Sequence, residues 1–218
     1  MYRLYYYPNN ASLAPHFILK HMAIDYTLHR VEREKEGQKS VEYLRLNPSG
    51  RIPVLIDYRI NSNGLAIFES AAICIHLCEQ YPSHGLIPAF GNEKRPLFFQ
   101  WMSYLSTTLQ TELMLRYYPE RHCVGIGAVS EIVSVQNKRI ASVLAIIDDA
   151  LAEQAYLVGD VLSACDYYLF MLALWALPFE KAPLSYQHLG PYLRRLSTLS
   201  VVIQTCEFEE IDISAFQS

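Results

Sequence analysis

The sequence predicts an α/β domain followed by an all-α domain. Two observations support this fold class. Residues 2–80 alternate short runs of β-forming residues with helical patterns, whereas the chain beyond residue 88 carries helical patterns only. A segment bearing Pro and Gly lies between the two parts. We therefore expect an α/β domain at 1–81, a linker at 82–88 and an all-helical domain at 89–218.

The first domain begins with a strand, a helix and a second strand. Residues 2–7 are rich in β-formers and end at the turn signal Pro8-Asn-Asn10. Residues 12–22 fit a helix with Ser12 as its N-cap and Pro15 in the first turn, where no backbone hydrogen bond is lost. Residues 26–30 alternate like a strand. The stretch between the strands is long enough for a crossover that pairs them in parallel.

The pattern in the rest of this domain predicts a short helix, a hairpin and a last helix. Asn-Gly between two apolar runs is a strong hairpin signal. The predicted elements are a helix at 41–46, a turn-rich bridge at 47–53, strands at 54–57 and 65–68, and a helix at 70–80. The order is then β-α-β, short helix, β-β-α.

The second domain shows helical periodicity throughout. Its patterns cover residues 93–118, 130–154, 163–177 and, more briefly, 191–199. The longest apolar stretch, Tyr167 to Phe179, is shorter than the ~20 residues of a membrane span, so we interpret it as a buried core helix.

Composition and charge exclude several classes of function. The 18 Lys and Arg against 22 Asp and Glu disfavour a nucleic-acid binder, which would normally carry a basic balance. The N-terminus lacks the pattern of a secretory signal. The five cysteines are scattered, without Cys-x-x-Cys, and the seven histidines show no metal spacing. We expect a cytoplasmic protein with reduced thiols that uses no metal, nucleic acid or membrane.

Pro53 stands where the bridge enters a strand. Proline cannot donate to a sheet ladder, so this position is an edge or a turn. A cis bond here would turn the adjacent backbone groups towards an extended peptide ligand. From the dipeptide alone, an ordinary trans proline at the start of an edge strand is the simpler interpretation.

Two serines open predicted helices. Ser70 follows Glu69 in the first turn of its helix, where free amides and the positive end of the helix dipole favour a carboxylate. A plain cap, with Glu69 as a solvated charge, explains the pair equally well. Ser12 is either a cap as well or a hydroxyl placed to donate to a thiolate and lower its pKa.

Together these residues resemble one family. The segments that carry the resemblance are residues 5–16, 47–55, 68–73 and 159–166. They resemble cytosolic glutathione S-transferases, and the first segment is closest to the bacterial beta-type branch. Residues 159–166 match the family's capping box, in which Ser163 and Asp166 satisfy each other's backbone amides. This last motif is a folding signal and not a catalytic one.

The resemblance implies a thioredoxin-like domain that binds glutathione as co-substrate, a helical domain for the electrophile, and a homodimer. On the matching positions, the Ile52 backbone before a cis-Pro53 would pair with the cysteinyl part of glutathione. Glu69 and Ser70 would hold the γ-glutamyl amine and carboxylate, and Ser12 would face the sulfur. A cation is needed for the glycyl carboxylate, and Lys35 or Lys39 are the candidates.

The sequence departs from the beta-type branch at two places. Ala11 stands where the branch has a cysteine, which disfavours a mixed disulfide with glutathione. Gln110-Thr111 stands where the branch has a His-Lys pair. Activation of the thiol then depends on Ser12, with Asn10 or Tyr6 as competing donors.

We therefore expect a transferase that conjugates glutathione to small hydrophobic electrophiles. Met114, Tyr117 and Tyr118 are candidates for the electrophile pocket between the domains, although ordinary core packing explains them equally. Two alternatives stay open. One is a glutathione-dependent reductase or isomerase on the same fold. The other is a non-enzymatic interaction protein that has lost glutathione binding.

Overall fold

The computed structural model describes residues 1–217, which divide into two compact units. The first unit contains residues 1–87 and 198–216, and the second contains residues 88–197. The sequence-based division assigned all of 89–218 to the helical domain. In the structure the C-terminal segment 198–216 packs with the α/β unit instead.

A four-stranded mixed sheet forms the centre of the first unit. Its strands are β1 (Tyr2–Tyr6), β2 (Tyr26–Arg30), β3 (Val54–Asp57) and β4 (Leu65–Phe68). Their spatial order is β2-β1-β3-β4, with β1 and β2 parallel and the other pairs antiparallel. The predicted strands and the parallel crossover are thereby confirmed, and the fold class with them.

The β3–β4 hairpin depends on one glycine. Gly64 adopts a φ of +77°, a conformation that costs glycine little and other residues more. A Cβ at this position would lie 2.3 Å from Cγ2 of Ile56. The Asn-Gly signal of the sequence therefore has two causes here, the turn conformation and the close approach of β3.

Helices cover both faces of this sheet. The helices of the first unit are α1 (Leu13–His21), α2 (Val41–Leu46), α3 (Ser70–Gln80) and α9 (Ser200–Phe208). Helix α1 packs against α3, and its Phe17 and Ile18 are fully buried. On the other face, Tyr43 of α2 joins a cluster with Val54 and Ile56 of β3. Strand β3 is buried along its whole length because apolar side chains cover it from both sides.

Helix α9 was not predicted from the sequence. Its run of Val201, Val202 and Ile203 has the β-branched composition of a strand. In the structure the buried residues of α9 include Val202 and Cys206, and the helix packs against α1. Tertiary packing thus overrides local propensity in this segment.

The second unit is helical. Its helices are α4 (Arg95–Ser103), α5 (Gln110–Tyr117), α6 (Val129–Ala150), α7 (Ala164–Ala176) and α8 (Leu189–Ser197). A π-helical segment, Tyr104–Leu109, joins α4 to α5, so the predicted pattern 93–118 is one interrupted helix. In α7 every residue except Trp175 is buried, which confirms the predicted core helix. Within the described residues, no helix combines the length and apolar character needed to cross a bilayer.

The start of α7 contains the predicted capping box. The Asp166 carboxylate accepts from the Ser163 N–H at 2.7 Å, from the Leu157 N–H at 2.9 Å and from the Tyr192 hydroxyl at 2.6 Å. Burial raises the pKa of Asp166, and these hydrogen bonds oppose the rise. The motif therefore connects three segments of the helical unit through one buried carboxyl group.

A second buried carboxylate lies at the far end of β3. Asp57 accepts two hydrogen bonds from the Arg59 guanidinium, at 3.0 and 3.1 Å, and lies 2.9 Å from Nε2 of His76. Burial opposes ionisation of Asp57, but the hydrogen bonds from Arg59 and His76 outweigh it and lower the pKa to about 2. The ionised carboxylate is therefore the form that the folded protein stabilises.

We predict that Asp57→Asn destabilises the protein in a pH-dependent manner. Because the folded-state pKa lies below the unfolded value of 3.8, the carboxylate contributes about 2 kcal/mol above that value. This contribution is lost as the pH falls through the folded pKa, and roughly half of it is gone by pH 3. Urea denaturation of wild type and Asp57→Asn at pH 6 and pH 3 measures the effect. The exposed Asp25→Asn is the control, and an equal difference at both pH values would contradict the assignment.

Candidate active site

The sheet register brings the predicted site segments to one edge. Val54, the first residue of β3, pairs with Tyr5 of β1 and with Phe68 of β4. The chain leaves β1 after Tyr6, enters β3 from Pro53 and leaves β4 after Phe68. The segments Tyr7–Ser12, Asn47–Pro53 and Glu69–Ser70 therefore meet at the same end of the sheet.

The bridge before β3 contains backbone groups of Ile52 that form no hydrogen bond within the described residues. The Ile52–Pro53 peptide bond is cis. The preceding Arg51 carbonyl accepts from the Tyr43 hydroxyl at 2.9 Å and from Nδ2 of Asn47 at 2.8 Å, which holds the bridge in place. Among residues 1–217, neither the N–H nor the C=O of Ile52 has a hydrogen-bond partner. These groups are available to an extended peptide ligand.

The start of α3 provides polar groups for an anion. Glu69 adopts a φ of +70°, unusual for a residue other than glycine, and its side chain is exposed. Ser70 is only 5 % exposed, and in the described part of the chain its hydroxyl has no partner. The first amides of α3 lie beside that hydroxyl, an arrangement suited to a carboxylate.

The Ser12 hydroxyl is hydrogen-bonded to the main chain of the turn. Its side chain is fully buried. The hydroxyl donates to the Tyr7 carbonyl at 3.1 Å and accepts from the Tyr7 N–H at 3.3 Å. It makes no side-chain cap to α1, although Ser12 occupies the position before the first helical residue. In this structure the Ser12 hydroxyl closes the turn between β1 and α1.

The side chain of Asn10, in the same turn, is half-buried and has an available N–H donor. Its Oδ1 accepts from the Ala11 N–H at 2.8 Å, and this bond fixes the orientation of the side-chain amide. Within residues 1–217, the Nδ2 group has no hydrogen-bond partner. Asn10 therefore offers an oriented N–H donor at the N-terminal end of α1.

Tyr6 lies in an aromatic cluster beside the turn. Its ring centroid is 6.2 Å from those of His16 and Phe208. Burial raises the pKa of Tyr6, and the nearby Glu209 carboxylate raises it further. The phenol therefore stays protonated at neutral pH and is a weaker acid than free tyrosine.

The two candidate lysines occupy different surroundings. Nζ of Lys39 lies 3.4 Å from the Ser49 carbonyl and packs over Gly50, within the bridge that precedes Pro53. Lys35 instead lies 3.5 Å from the Glu32 carboxylate, and both side chains are mostly exposed. Of the two cations, the structure brings Lys39 to the bridge.

Sequence reasoning missed one carboxylate near the site. Glu209 follows α9 and lies 2.6 Å from Nδ1 of His16, while its second oxygen accepts from the Asn9 N–H at 3.1 Å. Because Asn9 and Glu209 are 200 positions apart, no local pattern indicates their contact.

The second unit contains the other residues singled out from the sequence. Oε1 of Gln110 accepts from the Tyr168 hydroxyl at 2.5 Å, so this side chain has a structural partner. The Tyr117 hydroxyl donates to the Trp175 carbonyl, and its ring lies 5.6 Å from that of Phe179. These contacts hold Gln110 and Tyr117 within the helical unit.

Two sequence-family models match the chain. The model described as "Glutathione S-transferase, N-terminal domain" covers residues 12–80, and "Glutathione S-transferase, C-terminal domain" covers residues 113–199. The chain belongs to the glutathione S-transferase family. It is a glutathione transferase, and glutathione is the co-substrate of such enzymes. Among residues 1–217, no group of three or more His, Cys, Asp or Glu side chains is arranged to hold a metal ion.

Individual relatives agree with this family. Glutathione S-transferase GstA of Escherichia coli O157:H7 is 23 % identical over 89 % of this chain and 92 % of its own length. A glutathione transferase homologue from Sulfitobacter, solved with bound glutathione, shares the fold with a TM-score of 0.86 at 20 % identity, covering 95 % of this chain and 98 % of that one. A bacterial beta-class enzyme from Sphingomonas chungbukensis has a TM-score of 0.81 at 23 % identity, covering 96 % and 100 %.

Proposed function

We propose that this glutathione transferase conjugates the thiolate of glutathione to small hydrophobic electrophiles. The observation that carries the proposal is the convergence of three kinds of group at one sheet edge. These are the available backbone of Ile52, the buried hydroxyl of Ser70 at a helix start and the oriented amide of Asn10. They match the central peptide, the γ-glutamyl end and the sulfur of glutathione.

The tripeptide would lie along the edge as an additional short strand. The Ile52 N–H and C=O, next to Pro53, would pair with the cysteinyl backbone. Ser70 and the α3 amides would hold the γ-glutamyl carboxylate, and Glu69 would accept from its ammonium group. Lys39 is the better candidate for the glycyl carboxylate because it lies on the bridge, with Lys35 as the alternative.

Asn10 is the favoured donor to the sulfur. Its amide is oriented and has an available N–H, whereas the Ser12 hydroxyl already donates to Tyr7. Ser12 remains the second candidate, which requires that the bond to Tyr7 break. Tyr6 is the third, with a phenol made less acidic by burial and by Glu209. Each unit by which the site lowers the thiol pKa corresponds to about 1.4 kcal/mol of thiolate stabilisation.

Two features favour conjugation over a thiol-dependent reductase reaction. Ala11 provides no thiol in the turn that follows β1, so this position cannot form a mixed disulfide with glutathione. Phe208, which is 57 % exposed, offers an apolar surface beside Tyr6 and His16 that suits a hydrophobic electrophile.

The likeness to a beta-class enzyme supports assignment to that branch, in which Ala11 would be a departure. The scattered cysteines support a cytoplasmic location.

We predict that Asn10→Ala shifts the pH–rate profile for conjugation of glutathione to an aryl halide. A hydrogen bond to a charged group contributes roughly 1.5–3 kcal/mol, so the apparent pKa of the bound thiol should rise by about one unit or more. Ser12→Ala should mainly lower the free energy of unfolding, because both of its bonds to Tyr7 are lost.

Tyr6→Phe completes this set of variants, and steady-state rates between pH 5.5 and 9 provide the measurement. A shift with Ser12→Ala or Tyr6→Phe, and none with Asn10→Ala, would transfer the role to that residue. A wild-type protein that binds glutathione but conjugates no electrophile would favour the non-enzymatic alternative.

We predict that Ser70→Ala weakens glutathione binding. The hydroxyl would bond the γ-glutamyl carboxylate, and its loss should raise the dissociation constant by about tenfold or more. Titration calorimetry on wild type and variant measures the change, with melting temperature as the control. Ser83→Ala, an exposed serine beyond α3, is the matched substitution. Equal dissociation constants would rule out the assignment, and a large loss of melting temperature would support a purely structural cap.

The protein is also proposed to be a homodimer. Strand β4 is an edge strand, and its Leu65 and Phe68 are 43 % and 40 % exposed. An apolar edge of this kind favours association. Sedimentation equilibrium at micromolar concentration should give about twice the 25.0 kDa of one chain. A mass of one chain would contradict the proposal.

A further inference from the structure

The C-terminal segment contributes a buried carboxylate to the turn between β1 and α1. Glu209 is 2 % exposed and lies just after α9. One of its oxygens lies 2.6 Å from Nδ1 of His16, in the middle of α1. The other accepts from the main-chain N–H of Asn9 at 3.1 Å. A single side chain therefore connects the turn to the helix that follows it.

The hydrogen bond from Asn9 to Glu209 stabilises an unfavourable backbone conformation. Asn9 is exposed and has a φ of +52°, a left-handed conformation that is uncommon for residues other than glycine. The next residue, Asn10, carries the donor proposed for the sulfur. A change in the conformation of Asn9 would therefore move the Asn10 amide directly.

Several titratable groups lie around Glu209. Tyr6 and Tyr26 lie within the same aromatic cluster as His16, and burial together with Glu209 raises the pKa of both phenols. Burial and Glu209 also raise the pKa of the Cys206 thiol to about 12. These groups stay protonated at neutral pH. Among residues 1–217, His16 is the side chain whose ring nitrogen contacts the Glu209 carboxylate.

We propose that Glu209 is a positioning residue for activation of the glutathione thiol. It holds the Asn9 N–H and α1 at a fixed separation, and through them it sets the position of the Asn10 amide. The proposal rests on the proposed function. It makes the segment 198–216 a working part of the glutathione-binding unit, although this segment follows the helical unit in the chain.

The test compares substitutions that keep or remove the hydrogen bonds. Glu209→Leu preserves much of the volume but removes both acceptors. Glu209→Gln can still accept from Asn9 while its NH2 group donates to Nδ1 of neutral His16. Glu207→Leu, at an exposed carboxylate in the last turn of α9, is the matched control.

We expect Glu209→Leu to raise the apparent pKa of the bound thiol by at least half a unit and to lower kcat at pH 6.5 by roughly tenfold. The dissociation constant for glutathione should change by less than twofold, because Ser70 and Ile52 lie on other segments. Glu209→Gln and Glu207→Leu should stay within twofold of wild type. A folded Glu209→Leu with an unchanged profile, or a Glu209→Gln as impaired as Glu209→Leu, would overturn the proposal.

Hydrogen exchange in the wild type provides a second measurement that does not depend on the folding of a variant. The Asn9 amide should exchange at least tenfold more slowly than an unprotected amide, despite the exposure of its residue. Unprotected exchange would overturn the proposal. Failure of the proposed function is distinct, since it would appear as a wild-type protein that does not bind or conjugate glutathione.

Discussion

The double pairing of Val54 is the constraint on which the candidate site depends. Because this residue is hydrogen-bonded in register with both β1 and β4, the start of β3 must lie beside the ends of its two neighbours. The bridge 47–53, the turn 7–12 and the start of α3 are thereby brought together although they are distant in sequence. Packing of β3 on both faces fixes this register. A slip by one residue would exchange the two faces, and Val54 and Ile56 would then lose their contact with Tyr43.

The chemistry that this edge has to perform is modest. Glutathione is mostly protonated at neutral pH, and the enzyme has to stabilise its thiolate and hold it near an electrophile. The turn 7–12 contains no charged residue of its own, so the donors that it offers are neutral. The Ser12 hydroxyl and the Glu209 carboxylate form hydrogen bonds with the main chain of the turn. The Asn10 amide is oriented by its own bond to Ala11, and its N–H donors are available. The residues that shape the turn are thus different from Asn10, the residue proposed to contact the sulfur.

Features encoded by neighbouring residues could be predicted from the sequence. The strands, the Asn-Gly hairpin, the core helix α7 and its capping box each follow from local pattern, and the structure confirms them. Helix α9 could not be predicted because its β-branched run favours a strand until α1 packs against it. The orientation of the Ser12 hydroxyl and the contact of Glu209 with Asn9 depend on the tertiary fold. Residues of the candidate site could therefore be proposed from the sequence, whereas their hydrogen-bond partners could not.

The most direct test of this account is a crystal structure of the protein soaked with glutathione. We expect the cysteinyl backbone to pair with Ile52, the γ-glutamyl carboxylate to bond the Ser70 hydroxyl, and the sulfur to lie within hydrogen-bond distance of the Asn10 amide. Ser12 should keep its bonds to Tyr7. A glutathione molecule bound away from this sheet edge, or a Ser12 hydroxyl that leaves Tyr7 to contact the sulfur, would contradict the account.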